Sequence, residues 1–446
     1  MVFAISVFSR KNGIMNANSL EVVAFKVGFF SKEYWVLCGY LFIAMYGPRL
    51  FGFFDTSTFI ALIACVLFLM KNRELPISFI VPVSVLFLLV AYSIALALIV
   101  GTQEVYYPLR FLRCMFAFMG AWVVAEWVVH KVGVDKAVVM LLSSIVTLTL
   151  IHAVVIMAMF YSLELKEFIY VNWSNYPVER ARSLSRVFGL VPNGPMNSYI
   201  QVIGIYTLIA LALLREKGVS LVQIMLLFIS SFLIAQTGIV FLILSFPIVM
   251  YTLYFYKRLS LAKLLGYLLL PVFLLSMVFS YFNSSFISET SKKVIERNLE
   301  VVLSVFYKDE LQSQSVSILL KDHLKFPDDA ETFLFGSSFG PHTGGDDEVE
   351  KYRTDSDIGY ITNLFGVGVL GSLLIIFFYF FTAYVVFQNK RIIGFPLTLI
   401  FFIFLGFLLI GNAKEPDLMG RIGIDLYAML YAVACLIIEN KKKVKV

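Results

Sequence analysis

The sequence predicts an all-α polytopic membrane protein of about twelve transmembrane helices. Three observations carry that prediction. Apolar residues make up 60% of the 446 residues and charged residues 15%, against roughly 45–50% and 25% in soluble chains. Forty-four Phe and 23 Tyr are more than a water-facing surface accommodates. About twelve mostly apolar segments recur along the chain, most of them near the ~20 residues that cross a bilayer. Together these exclude a soluble enzyme, a nucleic-acid module and a secreted disulfide scaffold.

In order along the chain, residues 1–33 read as a cytoplasmic or interfacial N-terminus. Residues 1–9 are apolar but precede Arg10 and Lys11, the reverse of a cleavable signal peptide. Five spans fill 34–161, at 34–54, 55–70, 76–100, 110–129 and 137–161, with Pro48 and Arg49 interrupting the first. Residues 162–194 form an outer loop. Four spans fill 195–282, at 195–214, 219–235, 238–256 and 262–282. Only Gln236 and Thr237 join the second and third of these. That junction predicts a tight hairpin which need not cross fully, a geometry allowed where backbone is buried in protein or lines a cavity. A long outer loop, 283–357, precedes the last spans within 358–438, at 358–386, 393–411 and 422–438. A basic tail, 439–446, closes the chain. Cys38, Cys65, Cys114 and Cys435 all fall in apolar segments, which implies no disulfide framework.

Orientation follows from the cations. With the N-terminus inside, 19 of the 36 Lys and Arg lie on the inner side and 17 outside, eight of these in the long loop. Long loops count little toward orientation, so both termini are expected in the cytoplasm. The run Lys441, Lys442, Lys443 and Lys445 reads as a topology anchor on anionic lipid. The long loop holds 15 Asp and Glu. Ile295, Leu299, Val302 and Phe306 repeat at helical spacing, as do Val316, Leu319, Leu320 and Leu324 before Pro327. Both stripes predict amphipathic helices that lie on the membrane or cap a cavity.

The candidate chemistry is cationic. Arg180, Arg182 and Arg186 cluster at the end of the first outer loop, just before Asn193 and a span that opens with Asn197, Ser198 and Gln201. A guanidinium is always charged, and its planar fork binds two phosphate oxygens at once, which suits a pyrophosphate. Arg110 and Arg113 open the fourth span one turn apart, and Arg49 and Arg421 also sit at the outer boundary. For these boundary arginines two accounts stand open: snorkelling to lipid headgroups, or the lining of one anion site. Thr354-Asp355-Ser356-Asp357 precedes the tenth span, beside Arg353. The pattern fits a capped helix start, or a carboxylate, Asp355 or Asp357, that accepts a proton from a sugar hydroxyl. His130, His152, His323 and His342 show no metal-ligand spacing, and no phosphate-binding loop motif occurs. Neither a metal nor a cofactor is expected.

Three local patterns resemble one family. They are Arg186-Val-Phe-Gly-Leu190 before Pro192-Asn193; the polar break Gln236-Thr237-Gly238; and Phe333-Leu-Phe-Gly336…Gly340 followed by Asp355-Ser-Asp-Ile-Gly359-Tyr360…Gly366…Gly371. With two outer loops after the fifth and ninth spans, the chain resembles the Wzy-type O-antigen polymerases and the related O-antigen ligases of bacterial inner membranes. The layout covers most of the chain; the motifs are short. The resemblance implies a GT-C-like architecture and a glycosyltransferase of lipopolysaccharide or other polysaccharide biosynthesis, with its active site on the periplasmic side. It implies transfer of a growing glycan from undecaprenyl pyrophosphate to a new repeat unit on the same lipid, without a metal. Arg186, Arg182, Arg353, Asp355 and Asp357 then stand as catalytic candidates. Arg180, Arg113, Arg110, Arg421, Asn193, Asn197 and Gln201 stand as pyrophosphate-binding candidates. Implied partners are a Wzz-type chain-length regulator and a Wzx-type flippase. Two departures are visible. Ligases place a His just before the helix after the long loop, where this chain has Asp355, Ser356 and Asp357, although His342 lies close by. An Arg-x10-Gly spacing is also missing, since Asn193 follows Arg182 at that distance and Leu364 follows Arg353. The alternatives are a ligase acting on a lipid A core and a flippase for lipid-linked sugars.

Overall fold

A computed structural model describes residues 31–50, 54–70, 75–179, 187–191, 194–215, 220–255, 323–340, 354, 356–415 and 418–443. The expected span 262–282, the helical stripe 295–306 and most of the second stripe lie outside these residues. Of that second stripe Leu324 is described; it is exposed and not helical.

The chain is a bundle of apolar helices. In order these are α1 (Lys32–Tyr46), a two-residue antiparallel pair β1 (Arg49–Leu50) and β2 (Phe54–Asp55), α2 (Thr56–Leu69), α3 (Ile77–Val100), α4 (Tyr106–Val132), α5 (Val134–Tyr161), α6 (Leu163–Asn172), α7 (Gly194–Arg215), α8 (Leu221–Ile234), α9 (Gln236–Phe255), α10 (Ala330–Phe335), α11 (Gly359–Gln388), α12 (Lys390–Ile393), α13 (Phe395–Gly411) and α14 (Arg421–Lys443). Six of the described helices are long and apolar enough to cross a membrane: α3, α4, α5, the Gly194–Ala212 part of α7, α11 and α14. The protein is therefore a multi-pass α-helical membrane protein.

Local chemistry sets most of the helix ends. The expected first span, 34–54, is a helix only as far as Tyr46. Pro48 lacks the N–H a helix needs, and the chain folds back through a hairpin that pairs Arg49 with Asp55. Asp55 then caps α2, its carboxylate accepting the Ser57 N–H at 3.0 Å. Gly101, at φ +73°, ends α3 in the left-handed conformation. The expected hairpin at Gln236-Thr237 is present. The 14 residues of α8 reach about 21 Å at 1.5 Å per residue, short of the ~30 Å hydrocarbon layer. Ala235 is extended, and α9 starts at once.

Burial separates central from peripheral helices. The apolar windows of α7 and α14 are 94% buried in the bundle, that of α3 only 39%. α4 packs against α2, α3 and α14, while α7 packs against α5, α8, α9 and α13. Phe118, Phe378, Phe401, Tyr427 and Tyr431 form a ring cluster at the centre. Tyr427 and Thr382 hydrogen-bond to one another there at 2.5 Å.

α11 is two helices merged across a break at Gly368, φ +64° and ψ −171°. The break receives the end of the long loop. Ser337 and Ser338 donate their N–H groups to Phe365 O (2.7 Å) and Gly366 O (2.9 Å), and Tyr92 on α3 donates its hydroxyl to Phe335 O at 2.6 Å. A Cβ on Gly336 or Gly368 would lie 2.4–2.6 Å from the backbone of the other segment, so both positions require glycine.

Contacts between helices gather the chain turns at two ends. Among the described residues, one carries 47–50, 54–55, 162–179, 187–191, 323–340, 356–358, 412–415 and 418–420, with the N-terminal turns of α4, α7, α9, α11 and α14. The other carries Lys131, Lys390, Arg391 and Lys441, whose Nζ donates to Ile392 O at 3.0 Å. The first is called the polar end below and the second the lysine-rich end.

Candidate functional site

Arg180, Arg182, Arg186, Asn193, Arg353 and Asp355 lie outside the described residues. Arg110, Arg113, Asn197, Gln201, Asp357 and Arg421 are described, and all lie at the polar end.

The five residues that follow Arg186 form a short strap, 187–191, pinned on several sides. The Phe188 N–H donates to the Tyr170 hydroxyl at 2.6 Å, and the Leu190 N–H to His152 Nε2 at 3.3 Å. Ser174 Oγ donates to Leu190 O at 2.7 Å. Asn197 Nδ2 donates to Phe188 O (2.8 Å) and Val191 O (2.6 Å). Gly189 has φ +83°, and a Cβ there would fall 2.0 Å from His152 Nε2. Behind the strap, Gln201 lies 2.9 Å from His152 Nδ1, and the His152 ring stacks on Tyr46 at 4.4 Å. His152 Nε2 accepts the Leu190 N–H, while Nδ1 faces the amide nitrogen of Gln201, whose Oε1 accepts from Ser230 Oγ at 3.1 Å. Asn197 and Gln201 thus use their amides to hold the strap, which gives these expected pyrophosphate ligands a structural task.

The expected anion-binding arginines on α4 and α14 are engaged by protein groups. Arg113 Nη2 meets Asp425 Oδ2 at 2.8 Å, with side-chain exposures of 14% and 4%. Arg421 Nη1 meets Asp55 Oδ1 at 3.2 Å, and its Nη2 donates to Gly47 O. Arg110 donates to Leu418 O at 2.6 Å and Met419 O at 3.4 Å. The three guanidiniums clamp the starts of α4 and α14 to the α1–α2 turn. Their carboxylate partners lie far away in sequence and were missed from it.

Around Asp357 the structure departs from the capped-start pattern. α11 begins at Gly359, and its N-cap, Ile358, makes no side-chain cap bond. Ser356 Oγ instead accepts the Ile358 N–H (3.0 Å) and donates to His323 O (2.7 Å). The Asp357 carboxylate is 71% exposed and caps nothing; its Oδ2 lies 3.9 Å from His323 Nε2, while its N–H donates to His323 Nδ1 at 3.1 Å. His323 is a site residue that sequence reasoning passed over. It lies 34 positions from Asp357 with no shared motif, and only the fold of the loop joins them. Starting three residues past Asp357, a groove of about 220 Å³ runs along α11 from Tyr360 to Ile376 and is walled also by Phe326 and Leu418, with Asn363 and Ser372 among the lining groups. Its wall is mainly apolar. Asn363 is 4% exposed and makes no side-chain hydrogen bond among the described residues.

Comparison with protein-family models, with curated proteins and with solved structures finds no match to this chain.

Proposed function

We propose that this chain is a membrane glycosyltransferase that polymerises lipid-linked oligosaccharide repeat units, an O-antigen or capsule repeat-unit polymerase of a bacterial inner membrane. The observation that carries the reading is Asp357. It is an exposed carboxylate, unspent on helix capping, beside His323 and three residues before Tyr360, which lines a largely apolar groove. The sequence resemblance names the reaction; the geometry supplies a proton acceptor next to space for an amphipathic substrate.

A hydroxyl oxygen of the incoming repeat unit attacks the anomeric carbon of the growing glycan. The bond from that carbon to the pyrophosphate oxygen breaks, and its electron pair leaves with undecaprenyl pyrophosphate. The hydroxyl proton passes to Asp357 and then to water. Pyrophosphate needs no protonation to depart, in contrast to the alcohol released by a glycosidase. It needs positive charge, which Arg180, Arg182, Arg186 and Arg353 supply. A donor of this kind typically contributes about 2.7–4 kcal/mol. Arg110, Arg113 and Arg421 keep the helix ends in place. On this proposal the polar end faces the periplasm, both termini are cytoplasmic, and no metal takes part.

Purified protein in liposomes carrying a lipid-linked repeat unit provides the test. Wild type should build a ladder. Asp357→Asn should slow it about 100-fold or more, the usual contribution of a general base. A full-rate ladder from Asp357→Asn sinks the assigned role. Movement of the unit across the bilayer without lengthening points to a flippase instead. A ligase is the second reading, favoured by one observation: the fold brings His323 to the start of α11, where ligases carry a histidine. Transfer to a lipid A core in place of chain growth would establish it.

A further inference from the structure

The hairpin between α1 and α2 presents a guanidinium that no protein group claims. Arg49 is exposed, and among the described residues it makes no ion pair and no side-chain hydrogen bond. Its expected partner is close: Asp55 stands opposite it in the hairpin register. That carboxylate is already committed, to the Ser57 N–H (3.0 Å), to Ser57 Oγ (2.8 Å) and to Arg421 (3.2 Å). Arg49 also lies within electrostatic range of Arg421, a like charge.

The backbone that carries Arg49 is rigidly held. Its N–H donates to Trp173 O at 2.9 Å, Trp173 Nε1 donates to Tyr46 O at 2.7 Å, and Thr56 Oγ1 donates to Pro48 O at 2.8 Å. Arg421 grips Gly47 O on the same turn. A freely moving surface arginine has no such anchors. Nearby, Arg113 is paired with Asp425 and Arg421 with Asp55. A planar fork that no protein group claims, on a fixed backbone, matches the oxygens of a phosphate.

We propose that Arg49 is a lipid-phosphate ligand, binding the phosphate oxygens of a membrane lipid at the polar end of the bundle. The ligand chemistry has two sources, the diphosphate of a polyprenyl carrier or the headgroup of an anionic phospholipid. The proposal does not require the polymerase reading to hold.

The test uses the full chain in phosphatidylcholine nanodiscs doped with polyprenyl diphosphate or with phosphatidylglycerol, bound lipid being counted by native mass spectrometry. Arg49→Gln should lower the affinity about tenfold or more, as expected for a charge-assisted bond, and Arg49→Lys by less. Because the side chain has no protein partner, the melting temperature should not move in either variant. Loss of diphosphate binding alone assigns the carrier as ligand; equal loss for phosphatidylglycerol assigns the headgroup; both support the phosphate site. Undiminished binding of both lipids by Arg49→Gln overturns it. If wild type binds lipid through Arg49 but never lengthens a glycan, the polymerase reading falls and this site remains.

Discussion

At the scale of single residues, the polar end is organised by charge pairs that the chain assembles from distant positions. Arg113 and Asp425 are 312 residues apart and meet at 2.8 Å with little solvent around them. Breaking a buried pair by removing one partner leaves a stranded charge, which typically costs about 3–5 kcal/mol. Asp425→Asn should therefore lower the melting temperature of the purified protein sharply. Arg113→Met combined with Asp425→Leu should be milder than Asp425→Asn alone, since no charge is then left unpaired. A double variant worse than the single one would contradict this account. These pairs also mark where the sequence stops being readable. An arginine beside an apolar run looks the same whether it reaches a headgroup, a phosphate or a carboxylate. Asp425 sits inside the last apolar span, where an acid attracts notice, but nothing in the sequence says that Arg113 is its partner. His323 and Asp357 pose the same difficulty: each is visible, and their adjacency belongs to the fold.

At the scale of elements, hydropathy locates the helices and misses how they end. The expected span 110–129 is a helix over Tyr106–Val132, so the half-buried Arg110 and Arg113 lie one and two turns inside it and not at its start. The span expected over 358–386 is one apolar run in sequence but two helices in the structure, since glycine is compatible both with a kink and with close packing. What fixes the kink is the loop end docked into it. Tyr92 ties the two together by donating to Phe335 O at 2.6 Å, with Val367 O at 3.3 Å. Tyr92→Phe removes that hydroxyl, a change of roughly 0.5–1.5 kcal/mol. Its effect should be local. Amide hydrogen exchange should accelerate at Ser337 and Ser338, whose N–H groups bond to Phe365 O and Gly366 O, while the centre of α7 keeps its protection. Unchanged exchange at Ser337 and Ser338 would show that the glycine contact holds the loop end without the tyrosine.

At the scale of the whole molecule, the alternation of helices sorts the chain turns into two chemically different ends, and this predicts an orientation where the count along the sequence is nearly tied. That count is close, 19 Lys and Arg on one side and 17 on the other. The structure divides the cations more sharply. Arg110, Arg113 and Arg421 belong to helices α4 and α14, not to loops, whereas Lys131, Arg391 and Lys442 are exposed at the lysine-rich end. Retention of cations on the cytoplasmic side acts on residues flanking the spans in short loops, so the lysine-rich end should lie in the cytoplasm. Single-cysteine labelling of whole cells checks this directly, because Cys38, Cys65, Cys114 and Cys435 are all buried. An impermeant maleimide should reach Gln103→Cys, Asn175→Cys and Asp328→Cys from outside. It should reach Lys131→Cys, Arg391→Cys and Lys442→Cys only after permeabilisation. The reverse pattern would put Asp357 and Arg49 on the cytoplasmic face. A mixed pattern within either set would break the two-ended arrangement of the bundle itself.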